Sequence, residues 1–403
     1  MDVEIRTIAE TEFEECTRSL ELAFSGRPAK EDLARERLVA EFDRWLAAFE
    51  DGRIVGSAVA ASYTVTVPGG AQVAAAGVTA VGVQPTHRRR GINTALMRAQ
   101  LDGIHERGEA VAMLYASEGG IYGRYGYGLA AFLGELKFQT GRSSFIRGYR
   151  PTGRVRLLDR EEALSAMRPI YDEAQRRRPG MVALDDRWWK WLFFEHEKDE
   201  PSFFAVHETD GVADAFAVYR VKHEWPDSIP GLELTLNRLI ATTPQAYADI
   251  WRYLFDIDLV QTVNAWNRPV DEPLFLLMQE PRRLRFRTSD GLYIRLVDVA
   301  AALEARGYVG EGRLVVDVRD PFCPWNDGRY VLEVADGTAR CARTEGEPDM
   351  ACSATDLGAT YLGGVTFRQL HRAGRVDELR PGTLARADAL FAGDLAPWNP
   401  FVF

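Results

Sequence analysis

Between Val81 and Arg98 the chain reads VGVQPTHRRRGINTALMR, residue types suited to gripping a phosphorylated ligand. Val81 and Val83 alternate as in a half-buried strand, which Pro85 ends. Arg88, Arg89 and Arg90 precede Gly91, and after Ile92 the residues Ala95, Leu96 and Ala99 give a helix one apolar side. A glycine at a helix start lets a ligand approach the backbone, and the free amides there favour phosphate. Neighbouring arginines add charge-assisted contacts. The competing reading is a solvated basic loop. No GxGxxG at a strand end and no GxxxxGK[ST] loop occurs, so neither a dinucleotide fold nor a triphosphate loop is supported.

The elements around this turn read as an α/β domain. VEIRTI is a short strand, and Thr11-x-x-Glu14 spells a capping box before a helix carrying Phe13, Cys16, Leu20 and Phe24 on one face. A second helix runs from about Lys30 to Phe42. Asp51-Gly52 turns a hairpin, AQVAAAGVTAVGV leads into the arginine turn, and a helix covers about Asn93 to Arg107. VAMLYAS suits a buried central strand, and YGYGLAAFLGELKF contains the last strand of a domain over residues 1–145.

From 146 to 285 the pattern restarts with helices at Glu161–Arg178 and Asp185–Phe194, strands at Phe203–His207, Ala213–Val221 and Leu232–Leu239, a helix at Thr243–Phe255 and a strand near Thr262–Trp266. It resembles a degenerate repeat without the arginine turn. Residues 286–403 form a small α+β unit with strands at Tyr293–Leu296, Gly312–Val318 and Tyr330–Val334 and hairpin signals at Asp327-Gly328 and Asp336-Gly337. Ala354–Leu357, Tyr361–Gly363 and helices near Phe367 and Leu384 complete it.

Composition narrows the function classes. At 403 residues, 46% hydrophobic and 27% charged, the chain reads as a soluble cytoplasmic protein of two or three domains. Its apolar runs are too short for a membrane span, and the acidic start lacks a signal-peptide pattern. A net charge of −10 argues against nucleic acid and favours a cationic partner. The four cysteines are too scattered for a disulfide framework, and the six histidines form no ligand-spaced pair, so no metal is expected.

Taken together, VGVQPTHRRRG, SEGGIYGRYGYG and the terminal DLAPWNPFVF resemble the Eis family of GNAT N-acetyltransferases over essentially the whole chain. The resemblance implies tandem GNAT-like acyltransferase domains, the second inactive, followed by a sterol-carrier-protein-like (SCP2-like) domain. It implies acetyl-CoA as co-substrate, multi-site acetylation of aminoglycoside amines, and a homo-hexamer. Asn93 stands where the general GNAT turn has Gly or Ala, yet still offers its amide.

Carried over by motif, Val81 and Val83 would present backbone groups to the pantetheine arm. Arg88, Arg89, Gly91 and Ile92 would hold the pyrophosphate, and Ser117 would lie near the cofactor or cap the next turn. Tyr127 matches the family's general acid; a phenol with a pKa of about 10 is protonated at neutral pH and can donate to the departing sulfur. Tyr122 and Tyr125 share its loop. The α-carboxylate of Phe403 would relay the amine's proton, or the apolar tail would merely anchor the last domain. Phe24, Glu31, Asp32 and Trp45, on the N-terminal helices, would wall a wide anionic acceptor site, with Phe401 adding an apolar face. Two other readings remain: a protein-lysine or small-polyamine acetyltransferase on the same scaffold, and a non-catalytic lipid or interaction module.

Overall fold

The computed structural model describes residues 3–26, 30–193, 200–223 and 231–403. The N-terminal third of the chain supplies strands β1 (Glu4–Thr7), β2 (Trp45–Glu50), β3 (Arg53–Thr66), β4 (Gln72–Val83), β5 (Val111–Tyr115) and β6 (Gly128–Leu129), with helices α1 (Phe13–Ala23), α2 (Lys30–Arg37), α3 (Ile92–Glu106) and α4 (Gly119–Tyr122). The middle supplies β7 (Phe132–Gln139), β8 (Arg154–Leu158), β9 (Phe203–Thr209), β10 (Val212–Lys222), β11 (Leu232–Ala241) and β12 (Val260–Arg268), with α5 (Arg160–Gln175), α6 (Asp186–Leu192), α7 (Pro244–Phe255) and α8 (Leu274–Leu277). Strands β13 (Arg287–Asp290) and β14 (Leu292–Leu296) precede β15 (Gly312–Arg319), β16 (Gly328–Ala335), β17 (Thr338–Arg343), β18 (Met350–Ser353) and β19 (Asp377–Glu378), which alternate with α9 (Val299–Ala305), α10 (Ala354–Thr360), α11 (Phe367–Arg372) and α12 (Thr383–Phe391).

Three sheets result, ordered β1-β2-β3-β4-β5-β14-β6, β13-β7-β12-β11-β10-β9-β8 and β17-β16-β15-β18-β19. The first two exchange strands. Phe132–Gln139, expected to end the first domain, belongs to the second sheet, while Tyr293–Leu296, expected in the third unit, lies inside the first between β5 and β6. LYIRL is buried at every position, as a strand covered on both faces must be.

Other local expectations shift for identifiable reasons. The first helical turn is opened by Ala9, whose amide is taken by Glu12 at 2.8 Å, rather than by Thr11 with Glu14. Trp45 is not on a helix: the Asp51-Gly52 hairpin extends β2 back to it, and its side chain is buried against Phe13 and Phe42. Asp327-Gly328 opens β16 without turning a hairpin, and Ala354–Leu357 is helical. Phe194 lies outside the described residues.

One face of the first sheet packs Ala76, Val78, Ala112 and Leu114 against Met97, Leu101 and Ile104 of α3. The opposite face joins a larger core with Trp188 and Trp189 of α6, Val206 and Phe216 of the second sheet, Val316 and Leu332 of the third, and Phe401 of the tail. Three-sheet packing around one core explains why the terminal residues are held.

The second sheet carries a buried histidine that ties β9 to α7. His207 Nδ1 lies 2.6 Å from Asp214, and Nε2 lies 2.9 Å from the Thr152 carbonyl and 3.3 Å from Asp249. The Thr152 carbonyl can only accept, so Nε2 carries a proton, and the Asp214 carboxylate favours a second proton on Nδ1. Burial alone would lower its pKa; the bonds to Asp214 and Thr152 and the charge of Asp249 outweigh burial and raise it. A raised folded-state pKa adds stability that is complete below the unfolded value of about 6.5 and lost as pH climbs through the folded one. The urea midpoint should therefore fall as pH rises above about 6.5, and His207→Gln should flatten that slope while lowering stability throughout. A slope unchanged by the substitution would remove His207 from this role.

Candidate active site

The arginine turn forms as its residue types demand. Pro85 ends β4 in a short 3₁₀ turn, and Gly91 sits at φ 83° immediately before α3. No side chain caps that helix, and nothing lies within 4 Å of where a Cβ on Gly91 would point. Uncapped amides beside open space are what a diphosphate needs. Ile92 is buried, so its backbone alone is available, whereas Ser117 is exposed.

The three arginines divide. Arg88 folds back, donating to the Val83 carbonyl at 3.3 Å and the Ala23 carbonyl at 2.7 Å, which braces the turn against β4 and α1. Arg90 pairs with Glu50, which His87 also meets at 3.0 Å. Arg89 is exposed in the left-handed region at φ 61°. Gly91→Ala places a side chain in strained backbone, costing about 1 kcal/mol of stability. The same methyl enters the open approach, and acetyl-CoA affinity measured by calorimetry should drop roughly tenfold. Equal affinity would place the diphosphate elsewhere.

Behind the turn, β4 and β5 run parallel only from Ala75–Val78 against Val111–Leu114, and then part. A bulge in β4 opposite Ala58, where the register shifts between Ser57 and Val59, puts Ala80 at φ 50°, with its carbonyl held by the Ser57 hydroxyl at 2.9 Å. Bulges re-aim backbone groups beside a site. Val81 and Val83 follow it, both half-buried.

The tail reaches the face of this sheet opposite α3. The Phe403 ring stands 4.8 Å from Tyr63, 5.4 Å from Tyr115 and 6.3 Å from Phe401. Gly77 admits it: a Cβ there would fall 2.3 Å from Tyr63 and 3.1 Å from Phe403. Phe401 is itself buried beneath. Upstream, Trp398 Nε1 donates to the Asn267 side chain at 3.0 Å, Asn267 donates to the Asn399 carbonyl at 3.1 Å, and Asn399 donates to the Phe401 carbonyl at 2.8 Å. The terminal residue is docked by a chain of directed bonds.

Tyr127 belongs to the α3 face, packed near Tyr122, and is fully buried with no partner for its hydroxyl. Burial pushes its pKa up, while the nearby Arg295 charge acts in the opposite sense. Arg295, fully buried in β14, pairs with Asp320 at 2.5 Å. A Cβ on Gly126, which sits at φ 87°, would lie 2.5 Å from the Arg295 guanidinium, so glycine is required beside the tyrosine. Tyr125 is engaged differently, bonded to Asn93 at 3.1 Å.

On the acceptor side, Phe24 is exposed at the end of α1, its ring near Gly82 of β4. Glu31 and Asp32 occupy the first turn of α2. Trp45 faces the interior and walls no cleft. Sequence reading missed Glu36, one helical turn after Asp32, whose carboxylate accepts from Trp191 Nε1 at 3.1 Å. Burial raises its pKa, partly offset by Arg35 and the Trp191 bond. Its charge is among those felt by Tyr63, beside Phe403. The i, i+4 spacing from Asp32 was the available signal.

Comparison with known proteins decides the family. An acetyltransferase (GNAT) domain model matches residues 4–130, a second acetyltransferase (GNAT) model matches 180–296, and a sterol carrier protein domain model matches 299–400. The chain is 41% identical to an uncharacterized N-acetyltransferase of Streptomyces avermitilis over the full length of both. It is 35% identical to N-acetyltransferase Eis of Mycobacterium tuberculosis, covering 87% of this chain and 86% of that one. The crystal structure of Eis1 from Mycobacterium abscessus superposes with a TM-score of 0.87 at 35% identity, covering all of both chains.

The chain belongs to the Eis family of N-acetyltransferases. It therefore has two GNAT-type domains and an SCP2-like domain, and it is an acetyl-CoA-dependent acetyltransferase. The open turn at Gly91 fits the diphosphate of that donor. In this Eis-family enzyme no helix among the described residues is long and apolar enough to cross a membrane, and no cluster of three metal-ligating side chains occurs there.

Proposed function

We propose that this enzyme acetylates primary amines of polycationic acceptors such as aminoglycosides, at more than one position, by direct transfer from acetyl-CoA. The observation that carries the reading is the docked terminus: Phe403 is held against Tyr63 and Tyr115 on one face of the sheet where β4 and β5 part, with Tyr127 on the other. A neutral amine attacks the thioester carbonyl, the N–C bond forms and the C–S bond breaks. The amine's proton passes to the Phe403 carboxylate through water, and the Tyr127 hydroxyl gives its proton to the departing thiolate. Burial keeps Tyr127 protonated, as an acid must be. The chain's net charge of −10 supplies the field that gathers a polycation, with Glu31 and Asp32 in the first turn of α2 to meet its amines.

Arg89 with the amides at Gly91 and Ile92 grips the diphosphate, while Val81 and Val83 offer backbone groups to the pantetheine arm. The enzyme works in the cytoplasm, where its donor is made, as a homo-hexamer. Mass spectrometry of products from acetyl-CoA with a panel of aminoglycosides, small polyamines and lysine peptides tests the reading. Aminoglycoside products carrying two or more acetyl groups are expected. Turnover confined to peptides or small polyamines would replace the acceptor assignment, and sedimentation of the purified enzyme tests the hexamer.

A further inference from the structure

A short segment after α8 concentrates positive charge. It reads Glu280-Pro281-Arg282-Arg283-Leu284-Arg285-Phe286 and contains a 3₁₀ turn at Pro281–Leu284. Leu284 is fully buried, and Phe286 packs on Gly134 of β7, where a Cβ would fall 2.6 Å from its ring. With those two side chains turned inward, Arg282, Arg283 and Arg285 stand exposed. A second 3₁₀ turn, Thr140–Arg142 at the end of β7, brings Arg142 to the same place. The four arginines wall a cavity of about 400 Å³.

The backbone of this cradle is fixed. The Thr140 hydroxyl donates to the Val260 carbonyl at 2.6 Å, and the Gln279 amide donates to the Ser144 carbonyl at 2.9 Å. The Ser144 hydroxyl donates to the Gln279 side chain at 3.2 Å, and Phe145 bridges Met278. The charges, by contrast, are uncompensated. Among the described residues the side chains of Arg142, Arg283 and Arg285 make no hydrogen bond or ion pair. Glu280 is the sole carboxylate in the wall, 3.9 Å from Arg282, and both side chains are mostly in solvent. Four arginines less one glutamate leave three positive charges in a chain whose net charge is −10. Exposed arginines such as Arg107 and Arg252 are instead met by Asp43 and Asp256, each at 2.7 Å. Ser143 also lines the cavity, and its hydroxyl is buried with no partner. A buried hydroxyl left unpaired is costly, and an acceptor in the cavity satisfies it.

We infer that this cavity binds an oligophosphate, an anion of two or more linked phosphates without an aromatic body. Guanidinium forks match phosphate oxygens in pairs, and the Ser143 hydroxyl donates to another oxygen. One phosphate carries about 1.5 to 2 negative charges at pH 7, fewer than the wall supplies, whereas a linked series matches it. Small-molecule sites are usually lined by apolar and aromatic side chains. This wall has none among the described residues, and Gln139 adds a carboxamide, so neither a stacked base nor an acyl chain finds a surface here. The donor's own diphosphate sits elsewhere, at the Gly91 turn of the first sheet, no residue of which lines this cavity.

The probe is tripolyphosphate, titrated by calorimetry at constant ionic strength into the full-length enzyme saturated with CoA, which fills the Gly91 turn. One saturable site is expected. Arg142→Glu and Arg283→Glu reverse charges on exposed, unbonded side chains that folding does not need, and each should weaken binding roughly tenfold or more. Ser143→Ala changes no charge and should cost about tenfold through a lost charge-assisted bond, which a diffuse basic surface would not register. Orthophosphate and hexaglutamate should bind far more weakly, and ATP, with the same three phosphates on an aromatic base, no tighter. Absence of saturable binding, equal affinity in the three variants, an equal affinity for orthophosphate or hexaglutamate, or a tenfold preference for ATP would each overturn the inference. Binding is read without acetyl transfer, so failure of the acceptor assignment or of the roles given to Tyr127 and Phe403 leaves this result standing.

Discussion

Adding a single residue after Phe403 should lower kcat about a hundredfold while acetyl-CoA binds as before. The extra residue moves the α-carboxylate about 3.8 Å along the chain. A misplacement of only about 1 Å in a reacting group can already cost that much. The docking bonds from Trp398 to Phe401 lie upstream and stay intact, as do the Phe403 ring contacts with Tyr63 and Tyr115. Steady-state kinetics beside calorimetry of the donor separate the two effects. Phe403→Leu, which keeps a carboxylate at the right chain length, should lose much less. An extended enzyme of full activity would show that the tail only anchors.

Tyr127→Phe should also slow turnover about a hundredfold, through loss of the acid. Its effect on stability should have the opposite sign. The hydroxyl is buried without a hydrogen-bond partner, and such a group costs about 1–3 kcal/mol. Removing it should leave the urea midpoint unchanged or raised. The pairing of Arg295 with Asp320 survives the change. A slower enzyme that is at least as stable identifies a chemical role for the oxygen; unchanged kcat would transfer the role to another donor. Tyr122, in the same loop, is the alternative donor, its hydroxyl close to Ser117.

Some of this was legible in the residues because the signal is local. Gly91 declares a left-handed residue at a helix start, Asp51-Gly52 declares a tight hairpin, and a terminus of Phe401, Val402 and Phe403 declares docking, with Phe401 buried and the last two residues half-buried. Other features depend on partners far along the chain. LYIRL reads as an apolar strand whichever sheet receives it, so its place beside β5 had no local cue. The bulge at Ala80 is carried by an alanine, a residue with no turn preference, and is fixed by Ser57 from the neighbouring strand. Trp45 and the residues of α2 looked alike as wall candidates; the hairpin register, not the residue type, turned Trp45 inward. Arg295 reads as an ordinary strand charge until Asp320, in the connection after β15, is brought against it.

The strand exchange bears on how the enzyme can be made. Among the described residues β6 pairs only with β14, and β5 has β14 on its far side, so a nascent chain that has passed residue 130 holds a first sheet with one raw edge and one unpaired strand. Such edges recruit other chains. Neither acetyltransferase lobe can close until translation has delivered residue 296, and the two then complete together. The catalytic lobe is thus not a portable module, and a gene fragment ending at its family-model boundary of residue 130 encodes an aggregation-prone piece rather than a small working enzyme.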